Sequence, residues 1–114
     1  MDYPTEQTDE LKRYCTKLSL LQEGGVTYFH LEGLRLPAGC EPPVCDALLC
    51  PTGDASYASR LYLSVQVSSP YSRNWNGSAR IGEKNWVAFS WQVPTGLTLP
   101  GMLRAHLSGF TRQS

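Results

Sequence analysis

Apolar and polar positions along the chain follow two periods, and the change between them divides the sequence into elements. In "TDELKRYCTKLSLLQEGG" (8–25), Leu11, Tyr14, Cys15, Leu18 and Leu21 form one stripe at helical spacing. Thr8 is placed to cap this predicted helix, Asp9 and Glu10 stand in a first turn that favours anions, and Gly24-Gly25 supply the stop signal. From Val26 the period shortens. "VTYFHLEGLRL" is β-branched and aromatic, with Gly33 marking a bulge, and "LPAGCEPP" reads as a turn. "VCDALLCP" is a nearly continuous apolar strand suited to the middle of a sheet, closed by Pro51 because proline cannot donate to a ladder.

After a "TGDASYAS" loop, "RLYLSVQV" alternates, with Leu61, Leu63, Val65 and Val67 on one face. "PYSRNWNGSARIGEKNW" (70–86) reads as a long polar segment, and "WVAFSWQV" returns to strand character. "LTLPGMLRAHLSGF" predicts a second helix, with Thr98 as cap and Pro100 in the first turn. Its apolar face is Leu99, Met102, Leu103, His106, Leu107 and Phe110. Strands joined by short turns pair antiparallel. The prediction is a single α+β domain over 1–114: an antiparallel meander sheet flanked by an N-terminal and a C-terminal helix, with 1–7 and 111–114 flexible.

Composition narrows the function classes. Ten basic residues balance ten acidic ones without a Lys/Arg run, so the sequence gives no footprint for nucleic acid or an anionic membrane. No window approaches the ~20 apolar residues of a membrane helix, and "MDYPTEQTDE" reads as neither a signal nor a transit peptide, so a cytoplasmic setting is expected. Cys15, Cys40, Cys45 and Cys50 are expected to be thiols rather than a disulfide framework. Their spacing lacks the close pair typical of structural zinc, and no Gly-rich phosphate loop follows a strand, so no metal or cofactor is assigned. Cys40, in a Pro/Gly turn, is the thiol expected to be exposed. His30 reads as a half-buried strand residue and His106 as a core-edge one.

This order of elements, together with a local pattern, resembles the ubiquitin-conjugating (UBC) fold. "ALLCPTGDASYASRLYLS" is similar to that family's strand with its closing proline (Pro51), its turn tyrosine (Tyr57) and the next strand. "PYSRNWNGSARI" resembles the active-site loop, with Asn76-Gly77-Ser78 where the family often has Asp-Gly-Ser. "NWVAFSWQVPTGLTLPGMLRAHLSGF" resembles the tryptophan region and the helix after it. The resemblance runs from about Val26 to Phe110 and is nearest to divergent bacterial members. It implies a ubiquitin-like protein and an activating enzyme as partners, a deconjugating peptidase encoded nearby, and antiphage defence as a candidate setting.

The departures are specific. The catalytic cysteine position falls on Arg80, no cysteine follows Cys50, and Pro70, Tyr71 and Ser72 stand in place of His-Pro-Asn. The asparagine that shapes the loop and stabilises an oxyanion in the family has only Asn74 and Asn76 as substitutes. The implied function is therefore a UBC-like component that binds the modifier or the activating enzyme, with Tyr71, Trp75 and Trp86 as exposed anchors and Arg80 on the modifier's carboxylate. One alternative is a carrier using an unconventional nucleophile, either Ser78 as an oxyester or Cys40. The other is an unrelated α+β protein-interaction domain.

Overall fold

The computed structural model describes residues 3–53 and 57–112. In order these form α1 (Thr5–Leu11), β1 (Lys17–Glu23), β2 (Val26–Arg35), β3 (Val44–Cys50), β4 (Arg60–Leu63), β5 (Gly77–Ile81), β6 (Lys84–Ala88) and α2 (Leu99–Leu107), followed by a 3-10 turn, Ser108–Phe110. All six strands belong to one antiparallel sheet, ordered β1-β2-β3-β4-β6-β5. The mixed α+β class, the antiparallel sheet and a helix near each end agree with the sequence pattern.

The first helix does not. Thr8 lies inside α1 rather than capping it, and the residue before the helix is Pro4. The backbone tightens at Leu11: Arg13 N–H donates to Glu10 and Tyr14 N–H to Leu11, both three residues back, and Thr16 N–H donates to Glu32 in β2 at 2.8 Å. From there the chain is a strand. Lys17 to Glu23 pair residue for residue with Glu32 to Val26, and Gly24 and Gly25, at φ of 59° and 78°, make the hairpin turn rather than a helix stop. A full ladder along β2 outweighs a helical stripe that ends in two glycines, because every paired residue satisfies backbone groups that β2 would otherwise expose.

Two helices and the 3-10 turn cover one face of the sheet. Phe29, Leu31, Ala47, Leu49, Leu61 and Leu63 project from the strands onto Leu11, Leu99, Leu103 and Phe110, all of them buried. Gly33 is the bulge, at φ 64°, and the register shifts between Leu31 and Leu34 there. As expected, β3 is buried along nearly its whole length and lies between β2 and β4. Cys50 is its last residue, just before Pro51. Thr98 Oγ1 accepts from Gly101 N–H, so α2 begins where the cap signal puts it, and Gln7 Oε1 of α1 accepts from Leu99 N–H at 2.9 Å. β4 ends earlier than the alternation suggests: Val65 is 45% exposed, while Val67 returns to the core. Asp54 to Ser56 of the expected loop lie outside the described residues, as do 1–2 and 113–114 of the expected flexible ends.

Residues 70–86 are a loop only in their first half. β5 and β6 form a second hairpin through Gly82 and Glu83, at φ 59° and 63°. The hairpin joins the sheet through Leu63 and Val87, and its turn reaches β1, where Gly82 N–H donates to Glu23 Oε1 at 3.1 Å and lies beside Leu21. The sheet therefore curls, and the hairpin closes over the outer face. Trp86, Ile81 and Leu48 form a small second core there, with Leu21, Tyr28 and Tyr62 packed against it.

Candidate functional site

The segment between β4 and β5 crosses the end of the molecule near the C-terminus of α2. It is pinned at both ends. Ser68 and Glu41 exchange backbone hydrogen bonds at 2.8 and 2.9 Å, and the Asn74 carbonyl accepts from Asn76 and Ser90 N–H at 3.0 and 2.7 Å. Arg73 holds the middle: its guanidinium donates to the carbonyls of Gly109 and Arg112 and lies 4.6 Å from the Trp91 ring centre. Trp75 packs edge-on to Phe89 at 5.2 Å, so half of this expected anchor is core. Tyr71 remains exposed and, with Arg73, Trp75 and Gln66, lines a concavity of about 230 Å³.

Behind this segment lies a polar network of which sequence reasoning picked out only Asn76 and Tyr57. Arg60 Nη2 donates to Asn76 Oδ1 at 2.8 Å, and Asn76 Nδ2 donates to the Tyr57 hydroxyl, which donates to Ser90 Oγ at 3.1 Å. The Arg60 guanidinium lies over the Tyr57 ring, 3.9 Å from its centre. Next to it, Ser59 Oγ and His106 Nε2 are 2.9 Å apart, although the residues are 47 apart in sequence. Asn76 thus shapes the loop with its side chain and Asn74 with its backbone.

A serine bonded to an imidazole is also the geometry of an activated nucleophile. Here Ser59 is 2% and His106 3% exposed, so no substrate reaches either. Desolvation, reinforced by the Arg60 charge, pulls the His106 pKa down to about 4, which keeps the ring neutral. The pair ties the start of β4 to α2. Its only sequence signal is His106 on the apolar stripe of α2, and the core-edge reading of that residue becomes a buried one.

The remaining expected residues do not converge. Ser78 and Arg80 project from β5, at the edge of the sheet, and both are exposed. Arg80 Nη1 donates to Asn85 Oδ1 at 3.2 Å across the hairpin. Trp86, expected as an exposed anchor, is 2% exposed because the hairpin carries it onto the outer face of the sheet; its indole N–H donates to the Ile81 carbonyl at 3.1 Å. Cys40, expected as the accessible thiol, is 3% exposed because the Glu41–Ser68 bridge folds its turn over the core. Cys15, Cys45 and Cys50 are buried too. Burial raises the thiol pKa of Cys15 and Cys40 and pushes that of Cys45 up to about 11. Trp91 is half-buried, its indole N–H on the Ala105 carbonyl, consistent with packing against α2.

Among the described residues, no three His, Cys, Asp or Glu side chains gather so as to hold a metal ion, and no helix is long and apolar enough to cross a membrane. No protein-family model, curated protein or solved structure matches the chain.

Proposed function

We propose that this chain is a ubiquitin-conjugating-enzyme-like binding module of a bacterial ubiquitin-like conjugation pathway, engaging the modifier or its activating enzyme without carrying the modifier itself. The order of elements supports the likeness. A helix precedes a four-strand antiparallel meander, Pro51 follows its third strand, Tyr57 anchors the loop beyond it, and a capped helix comes last. The covered outer face and the β5–β6 hairpin are features the resemblance did not lead us to expect.

The burial of the thiols carries the non-catalytic reading. An acyl carrier needs a nucleophile that is exposed and readily ionised. Cys15, Cys40, Cys45 and Cys50 are all buried, and for Cys15, Cys40 and Cys45 burial moves the thiol pKa away from ionisation. Ser78 is exposed on an edge strand, while His106 is bonded to Ser59 and His30 has its Nε2 buried on the other face. A hydroxyl with no base beside it is a poor nucleophile at neutral pH. Binding falls instead to Tyr71 and the exposed part of Trp75, with Arg80 offering a forked donor to a chain-terminal carboxylate.

Calorimetric titration with a ubiquitin-like modifier from the same genome tests this reading. Binding that weakens severalfold in Tyr71→Ala or Arg80→Ala is the expected result. Absence of binding to both the modifier and its activating enzyme would overturn it in favour of an unrelated interaction domain.

A further inference from the structure

The balanced total charge conceals a division along the chain. Residues 1–54 hold nine acidic and four basic residues and 55–114 hold one acidic and six basic, net −5 and +5. Three of those six basic residues, Arg73, Arg104 and Arg112, gather at α2. Beside them runs a groove of about 530 Å³ whose apolar wall is Trp91, Pro94 and Leu97, whose floor includes Ala105, and whose rim carries Arg104 and Arg112. Arg73 lies over the Trp91 ring from the neighbouring loop.

The charge of this groove is only partly answered within the chain. Glu10 of α1 meets Arg104 at 2.8 Å, in a pair that is about half exposed and therefore weakly held. The partners of Arg73 are the backbone carbonyls of Gly109, Arg112 and Ser72, which satisfy its N–H groups but leave its charge uncompensated. Arg112 is exposed and has no carboxylate partner among the described residues. None of the described acidic residues lines the groove.

We propose that the α2 groove is a docking site for an acidic peptide segment of a partner protein, with an apolar side chain seated against Trp91, Pro94 and Leu97 and a carboxylate on Arg112, in the positive field of Arg104 and of the nearby Arg73. Charge complementarity selects the segment. Arg and Trp are also the residues that dominate interface energetics. The volume falls within the range of sites that hold a few side chains. An apolar wall and three separate guanidinium groups, without a basic run, favour a peptide over a nucleic acid backbone. The inference is independent of the ubiquitin-conjugating likeness, since it uses neither Arg80 nor the modifier.

Fluorescence anisotropy of a short dye-labelled peptide alternating Glu with Leu tests it. The peptide should bind and lose affinity as salt is raised. Arg112→Glu should weaken it roughly tenfold, and Arg112→Lys should restore most of that loss. A peptide with Lys in place of Glu should not bind. Equal affinity for the two peptides, or for the wild type and Arg112→Glu, would overturn the assignment. So would tighter binding of a single-stranded oligonucleotide at the same salt. Concentration-dependent self-association abolished by Arg112→Glu would put the acidic half of a second copy in the groove instead, and would overturn it as well.

Discussion

Acidification should destabilise this protein through His106 before its carboxylates matter. The ring is buried against Ser59 and near Arg60, and its pKa lies at about 4 against 6.5 in a free chain. Between those values the unfolded chain binds a proton that the folded chain refuses, so stability falls as pH falls. At about 1.4 kcal/mol per pH unit the full loss is roughly 3 kcal/mol, complete below pH 4, with roughly 2.5 kcal/mol already gone by pH 4.5. Above pH 6.5 the contribution is flat. Urea unfolding followed by tryptophan fluorescence, at steps from pH 7.5 to 4.5, measures this for the wild type and for His106→Gln. The variant keeps a hydrogen-bonding group towards Ser59 but cannot titrate. Other groups contribute to both proteins, so the difference between the two pH profiles isolates residue 106. Parallel profiles would refute the buried neutral histidine and the network built around it.

Three further outcomes follow from the packing. Trp86→Ala should cost about 3–5 kcal/mol in urea unfolding, because it empties the second core against Leu48 and Ile81; a loss below 1 kcal/mol would mean the hairpin does not close over the sheet. Gly24→Asn should be tolerated, since Asn-Gly suits the φ > 0 hairpin turn, whereas Gly25→Ala should cost about 1 kcal/mol at a position of φ 78°; thermal melts that favour the alanine would restore the helical reading of this segment. Iodoacetamide at neutral pH should label none of the four buried thiols until denaturant is added. One cysteine alkylated rapidly in the native protein, located by peptide mass spectrometry, would reopen the carrier mechanism.

The parts of the fold legible in the sequence are those fixed by local chemistry. The Thr98 cap and Pro100 start α2, Gly33 marks the bulge in β2, and the run from Cys45 to Cys50 reads as a central strand because its neighbours cover both faces. β1 is not legible, because Leu18 and Leu21, three apart, fit a helical stripe, whereas on the strand they face opposite sides, Leu18 towards the main core and Leu21 towards the second, and only the ladder with β2 decides between the two readings. The β5–β6 hairpin buries little beyond Ile81, Trp86 and Ala88, so its polar residues read as loop. Its turn signal, Gly82 followed by Glu83 in the left-handed region, is weaker than an Asn-Gly pair.

The site was legible in fragments. Tyr71, Asn74, Trp75 and Asn76 do lie on one segment, and Asn76 does hold it in shape. Ser78 and Arg80 belong to the edge strand, while Trp86 and Cys40 turned inwards for reasons that reside in long-range contacts. The Ser59–His106 bond and the reach of Gly82 to Glu23 join residues far apart in sequence, and no local pattern encodes them.

On the proposed reading, this chain binds without carrying. Intact mass spectrometry, after incubation with ATP, an activating enzyme and a ubiquitin-like modifier from the same genome, tests it most directly. A module that only binds keeps its mass unchanged while the modifier or the activating enzyme is still bound in titration. An adduct of modifier mass that dithiothreitol removes would mean a cysteine carrier and would contradict it, and one that resists thiol but yields to hydroxylamine would contradict it through an ester at a residue such as Ser78.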